Sequence, residues 1–89
     1  MENRKKVYED ALIRWGKQNQ LVVAIEEMSE LQKEICKYFR HEGKAQDLIE
    51  EVADVSIMLE QIIFMFDLEA DVERVMGEKV QRLEGRLRR

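Results

Sequence analysis

The sequence predicts an all-α fold, a bundle of four antiparallel helices completed by oligomerisation, and three observations carry that expectation. The 89-residue chain has no proline and four glycines, and helices are the elements that tolerate neither in quantity. Charged residues make up 38% of it, which suits solvated helix faces better than a turn-rich β-sandwich. Apolar residues recur at three- and four-residue spacings along nearly the whole length, the period of a helix with one buried face. The length fits a single domain, residues 1–89. A domain so small buries only about 60–65% of the surface its unfolded chain exposes, so association of copies, as a dimer or tetramer, is expected to complete it.

The first helix is expected from about Arg4 to Trp15, where Val7, Tyr8, Ala11, Leu12 and Trp15 share a face, and Gly16 can stop it by supplying the left-handed residue past a helix end. The second runs from about Asn19 to Phe39, with Leu21, Ala24, Ile25, Met28, Leu31, Ile35 and Phe39 as its stripe. His41-Glu42-Gly43-Lys44 forms the next loop. The third runs from about Gln46 to Phe66. Beyond Asp54 it is apolar on nearly every side, and such a helix must be covered on every side, which puts Phe64, Met65 or Phe66 at a subunit contact. The fourth begins near Leu68 and reaches the C-terminus with the stripe Val72, Val75, Met76, Val80, Leu83 and Leu87. Gly77 within it costs about 1 kcal/mol relative to alanine and is a point where that helix can break.

Composition excludes several classes. One cysteine allows no internal disulfide, and one cysteine with one histidine does not make an ordinary structural zinc site. Cys36 reads as a small buried residue. The longest stretch without charge, Gln18 to Ile25, is far short of the ~18 residues that span a bilayer. The opening Met1-Glu2-Asn3-Arg4-Lys5-Lys6 leads into no apolar segment of a secretory leader. A soluble cytoplasmic protein with no membrane or nucleic-acid partner is expected. The net charge of −4 is uneven: Glu26 to Glu60 holds ten acids against four bases, and Arg74 to Arg89 six bases against two acids. An acidic centre and a basic tail can hold cations and an anionic ligand, or can pair with each other.

The acids carry the chemistry. The second helix has Glu26-Glu27-Met28-Ser29-Glu30 and the third Glu50-Glu51-Val52-Ala53-Asp54. In each, two acids lie three residues apart and share a face: Glu27 with Glu30, and Glu51 with Asp54. At 100° per residue, Glu51 and Asp54 continue into Val55, Met58, Ile62 and Met65. Ionised carboxylates aimed into such a seam carry several kcal/mol of desolvation each unless something compensates. A divalent cation would, because four carboxylates from two antiparallel helices make a hard, all-oxygen cage suited to Mg²⁺ or Mn²⁺. Iron is disfavoured, since di-iron bundles use Glu-x-x-His on two helices. The bland alternative is a solvated acidic face. Glu30, which points well away from the apolar stripe, favours that alternative for the second helix taken alone.

Glu26-Glu27-x-x-Glu30, twenty intervening residues, then Glu51-x-x-Asp54 resembles the motif pair of the all-α nucleoside triphosphate pyrophosphohydrolases, the MazG-like superfamily. Trp15-Gly16-Lys17-Gln18-Asn19-Gln20, Leu48-Ile49-Glu50-Glu51-Val52-Ala53-Asp54-Val55 and the basic ending Glu78-Lys79-Val80-Gln81-Arg82-Leu83 resemble the same family, so the likeness runs from about Trp15 to Arg86. It implies a four-helix MazG-like bundle in which Glu27, Glu30, Glu51 and Asp54 hold Mg²⁺, with Glu26 and Glu50 in outer roles. It also implies Mg²⁺-dependent hydrolysis of a nucleoside triphosphate, canonical or altered, to monophosphate and pyrophosphate, a nucleotide-pool cleansing activity. Glu30 or Glu26 is the expected proton acceptor for the attacking water, and no Ser-His or Cys-His nucleophile is needed. Lys79 and Arg82 are expected at the phosphates, where the bland reading has Lys79 only snorkelling from an apolar stripe. Lys33 and Lys37 can join them or pair with Glu30 and Glu34 along their own helix. Trp15 reads first as core and second as a platform for a base whose edge Gln20 could read. The Met58 and Met65 spacing reads as packing. Phosphoribosyl-ATP hydrolysis is placed lower, because Asp54 is followed by Val55-Ser56-Ile57-Met58-Leu59 where that branch has a histidine-containing stretch. A dUTP- or dCTP-specific role, and a non-enzymatic helical interaction module, stay open.

Overall fold

A single residue separates the first two helices. The computed structural model describes residues 2–89: a 3-10 turn at Glu2–Arg4, then α1 (Lys5–Trp15), α2 (Lys17–Phe39), α3 (Ala45–Met65) and α4 (Glu69–Leu87). The chain is all-α, with no strand among the described residues. α2 starts at Lys17 rather than Asn19 because Gly16 serves both helices. Its N–H donates to the Leu12 carbonyl at 2.9 Å, and its own carbonyl accepts from the Gln20 N–H at 3.1 Å. Its φ of 83° and ψ of 159° lie where only glycine sits without strain.

The other two corners are built without glycine at the left-handed position. His41 (φ 61°) and Asp67 (φ 55°) occupy it, residue types enriched there among non-glycines. In each case two bonds close the helix end. Glu42 N–H donates to the Lys37 carbonyl at 2.8 Å and His41 N–H to that of Tyr38 at 3.1 Å. Leu68 N–H donates to Ile63 at 2.9 Å and Asp67 N–H to Phe64 at 3.3 Å. These are Schellman ends, which satisfy the last carbonyls and turn the chain sharply. The loop 40–44 sends α3 back antiparallel along α2, and this hairpin is the principal packing unit. Its seam is Ala24 against Val55 and Met58, with Gln20 and Tyr8 also buried. At the open end of the hairpin the Lys17 ammonium sits 5.1 Å from the centre of the Phe66 ring, a cation–π contact between the start of α2 and the end of α3.

The hairpin realises the expected antiparallel packing, and α4 is the helix least packed against it. α4 approaches only α3 in backbone terms, near the corner that joins them, and none of its residues is buried. Its N-terminal end is tied to α1 by Lys5 and Glu69, 3.8 Å apart. Gly77 does not interrupt it; Arg74 pairs with Glu78 across that position at 3.6 Å, and strong helix formers surround it. The radius of gyration is 15.9 Å, against about 12 Å for a compact chain of this length. Two burial expectations are corrected. Cys36 is exposed, because its position on α2 lies outside the seam with α3. Trp15 is 56% exposed, because α1 ends there and the chain turns away at Gly16. As the sequence leads one to expect, α3 is not covered on every side within one chain: Ile57, Leu59 and Phe66 remain open.

Candidate metal centre

Antiparallel packing of α2 on α3 places one turn of each helix opposite the other where both carry acids. Glu27 from α2 and Glu51 and Asp54 from α3 each offer a carboxylate oxygen, and these oxygens lie within 4.8 Å of one another. Glu27 and Glu51 are half-buried and Asp54 is exposed, so the group is open on one side. Below it the α3 face continues into buried Val55 and Met58, as the projection of the sequence anticipates.

The electrostatics are those of a crowded anionic group without its counter-charge. Burial pushes the Glu27 carboxyl above its ordinary 4.5, hydrogen bonding with Asp54 raises it further, and the charges of Glu51, Asp54 and Glu30 add to the shift. Burial also raises Glu51, followed by the charges of Asp54, Glu30, Glu34 and Glu50. Oε2 of Glu51 is buried and has no hydrogen-bond partner. An acceptor removed from water and left unpaired costs about 1–3 kcal/mol, more for a charged group. A cation would remove that cost. Ligand oxygens around Mg²⁺ at about 2.1 Å lie about 3.0 Å apart when adjacent and about 4.2 Å when opposite. The three oxygens present, within 4.8 Å of one another, are somewhat more widely spaced than that. An all-carboxylate donor set suits Mg²⁺ or Mn²⁺.

Of the four carboxylates expected to converge, the structure brings three together. Glu30 lies outside the group, exposed one turn further along α2, although its charge is felt by both Glu27 and Glu51. Glu26 and Glu50 are exposed neighbours of the cluster on their helices, and Glu50 accepts a hydrogen bond from Gln46 Nε2 at 3.2 Å. Lys37 pairs with Glu34 at 3.7 Å, and Lys33 is exposed. Lys79 and Arg82 are exposed on α4. Gln20 is buried.

Trp15 lines a groove of about 550 Å³ between α1 and α3, together with Val7, Ala11 and Ile57. At one end of this groove stands a polar cluster that sequence reasoning missed. Glu60 accepts a hydrogen bond from the Tyr8 hydroxyl and is held by Arg4 Nη1 at 2.8 and 3.0 Å. Nothing local in the sequence marks it, since the partners come from opposite ends of the chain; Glu60 interrupting an apolar run was the one available signal. No helix among the described residues is long and apolar enough to cross a membrane. No protein-family model, curated protein or solved structure matches the chain.

Proposed function

We propose that this chain is a divalent-cation-dependent nucleoside triphosphate pyrophosphohydrolase, a MazG-like enzyme that converts a canonical or altered nucleoside triphosphate and water to the monophosphate and pyrophosphate. The observation that carries the reading is the convergence of Glu27, Glu51 and Asp54 around an unpaired, buried carboxylate oxygen. Acids on a solvated face gain nothing by converging and are mildly repelled by doing so. The order and spacing of the two acidic motifs add the family resemblance.

Glu27, Glu51 and Asp54 would hold Mg²⁺, with Mn²⁺ as a substitute, and Glu30 would complete the set by a rotation about its own side chain. Bound there, the ion supplies neutralisation of triphosphate charge and a water of lowered pKa. The side chains of this protein do the rest. Glu30 or Glu26, exposed beside the cluster, accepts the proton of the attacking water. Lys37 and Lys33 lie on the same helix as the acids and can meet the phosphates, and Lys79 and Arg82 are the basic side chains that α4 contributes. Trp15 and Gln20 remain the candidates for recognising the base.

The test is pyrophosphate release from a panel of canonical and altered nucleoside triphosphates, with and without Mg²⁺, for the wild type and Asp54→Asn. The expected result is Mg²⁺-dependent release that the variant loses by about 100-fold or more. Wild-type protein that binds Mg²⁺ but cleaves no member of the panel would leave a cation-binding interaction module in place of the enzyme.

A further inference from the structure

Gly16 is the entire connection between α1 and α2, and its two backbone hydrogen bonds belong to different helices. The N–H, on the α1 side of its Cα, donates to Leu12; the carbonyl, on the α2 side, accepts from Gln20. Rotation about φ or ψ of Gly16 therefore swings α1 against α2 without breaking either bond. Glycine has the widest choice of both angles. The space around its Cα is open, since an added Cβ would meet no atom within 4 Å. The corner is built as a hinge whose motion costs no backbone hydrogen bond.

What holds α1 down sits at its other end. Arg4 and Tyr8 both grip the Glu60 carboxylate of α3, and Lys5 lies 3.8 Å from Glu69 of α4. Arg4 is twelve residues from Gly16, about 18 Å along a helix. Between this latch and the hinge, α1 is poorly seated. Among the described residues Tyr8 is its one buried side chain, while Val7 and Ile13 are 64% and 76% exposed. The groove of about 550 Å³ separates it from Ala53 and Ile57 of α3, where closely packed helices would leave no such space. Ala24, Val55 and Met58, which join α2 to α3, belong neither to α1 nor to the hinge.

We propose that α1 is a hinged strap, released from α3 as a unit by pivoting at Gly16 when Arg4 and Tyr8 let go of Glu60, while the α2–α3 hairpin stays folded. Once released, α1 loses its helix, because 11 residues are too few for an isolated helix to be stable in water. The groove is then open to solvent along its length. A molecule held between its walls would touch both α1 and α3 and so keep the strap shut, which couples opening to occupancy. The proposal does not depend on the enzymatic reading, and its test uses no nucleotide.

Amide hydrogen exchange read residue by residue in increasing low concentrations of urea tests it. In the wild type, amides from Glu9 to Trp15 should exchange about 30-fold or more faster than those of Ala24, Val55 and Met58, after correction for intrinsic rates. Their urea dependence should be shallower, because opening of α1 exposes less surface than unfolding of the whole chain. Val55→Ala should speed exchange in the hairpin seam by about tenfold and leave α1 unchanged, since Val55 keeps its neighbours when the strap is open. Tyr8→Phe should speed exchange in α1 by about tenfold, the worth of a hydrogen bond to a charged acceptor. The wild-type comparison needs no variant to fold. Amides of α1 that match the seam in rate, urea slope and response to Val55→Ala would mean that α1 leaves only when the whole chain unfolds. Amides of α1 indifferent to Tyr8→Phe would mean that Glu60 holds nothing shut. Either result overturns the proposal.

Discussion

Tyr8 and Glu60 stand 52 positions apart in sequence and meet through one hydrogen bond. The Tyr8 hydroxyl is the main reason that the Glu60 carboxyl lies below its ordinary 4.5; burial works against this and Arg4 adds to it. Burial, then the bond to Glu60, lifts the Tyr8 hydroxyl in turn. Because the folded-state pKa of Glu60 is depressed, its stabilising contribution is complete above the unfolded value and is lost as pH falls through the folded one. Tyr8→Phe should therefore destabilise by about 1.5 kcal/mol near neutral pH, the worth of a hydrogen bond to a charged acceptor, and by less in acid. Thermal unfolding at both pH values checks it. Asp54→Asn should behave in the opposite way. It removes a charge from a crowded anionic group, so the metal-free variant should melt no lower than the wild type. Its Mg²⁺ affinity, read by calorimetry, should nevertheless fall by about tenfold or more. A variant that melted earlier without metal yet bound Mg²⁺ normally would mark Asp54 as a structural acid.

At the scale of elements, α4 offers the plainest measurement. A Cβ added at Gly77 would meet no atom within 4 Å, so Gly77→Ala should stabilise the protein by about 0.5–1 kcal/mol through helix propensity alone, seen as a higher Tm and stronger helical ellipticity. That α4 is continuous here explains what was legible in the sequence and what was not. The period of the apolar residues located all four helices, α4 included, although α4 crosses a glycine and buries no residue within this chain. The spacing of Glu27, Glu51 and Asp54 was readable for the same reason, since helical geometry converts spacing into direction. Glu30 was not, because which of two acids on a face reaches the partner helix depends on how that helix is rotated, and rotation is set by the seam at Ala24, Val55 and Met58. The exposure of Trp15 and Cys36 followed from packing that local sequence does not contain. The corners around His41 and Asp67 were placed by the breaks between the apolar stripes, but their left-handed residues were not, because these are not glycine.

For the molecule as a whole, the two kinds of carboxylate pull stability in opposite directions with pH. Glu27 and Glu51 are raised above 4.5, so in metal-free protein they bind protons more tightly folded than unfolded. Stability then falls as pH rises from 4.5 through their folded values. Metal-free protein should consequently melt higher at about pH 5.5 than at about pH 7.5 as far as this cluster decides, and Mg²⁺ should narrow the difference by favouring the ionised carboxylates. Differential scanning calorimetry with and without Mg²⁺ reads both. The tight return at 40–44 carries a consequence of another kind, in time rather than in free energy. Closing so short a loop needs little search, and helices joined in this way fold among the fastest topologies known. The hairpin is therefore expected to assemble first, in a step whose rate is independent of protein concentration, and α4, whose backbone approaches only α3, is expected to follow. Substitutions in the seam of α2 with α3 should slow refolding. Substitutions along α4, such as Val75→Ala, should leave the refolding rate nearly unchanged and speed unfolding instead.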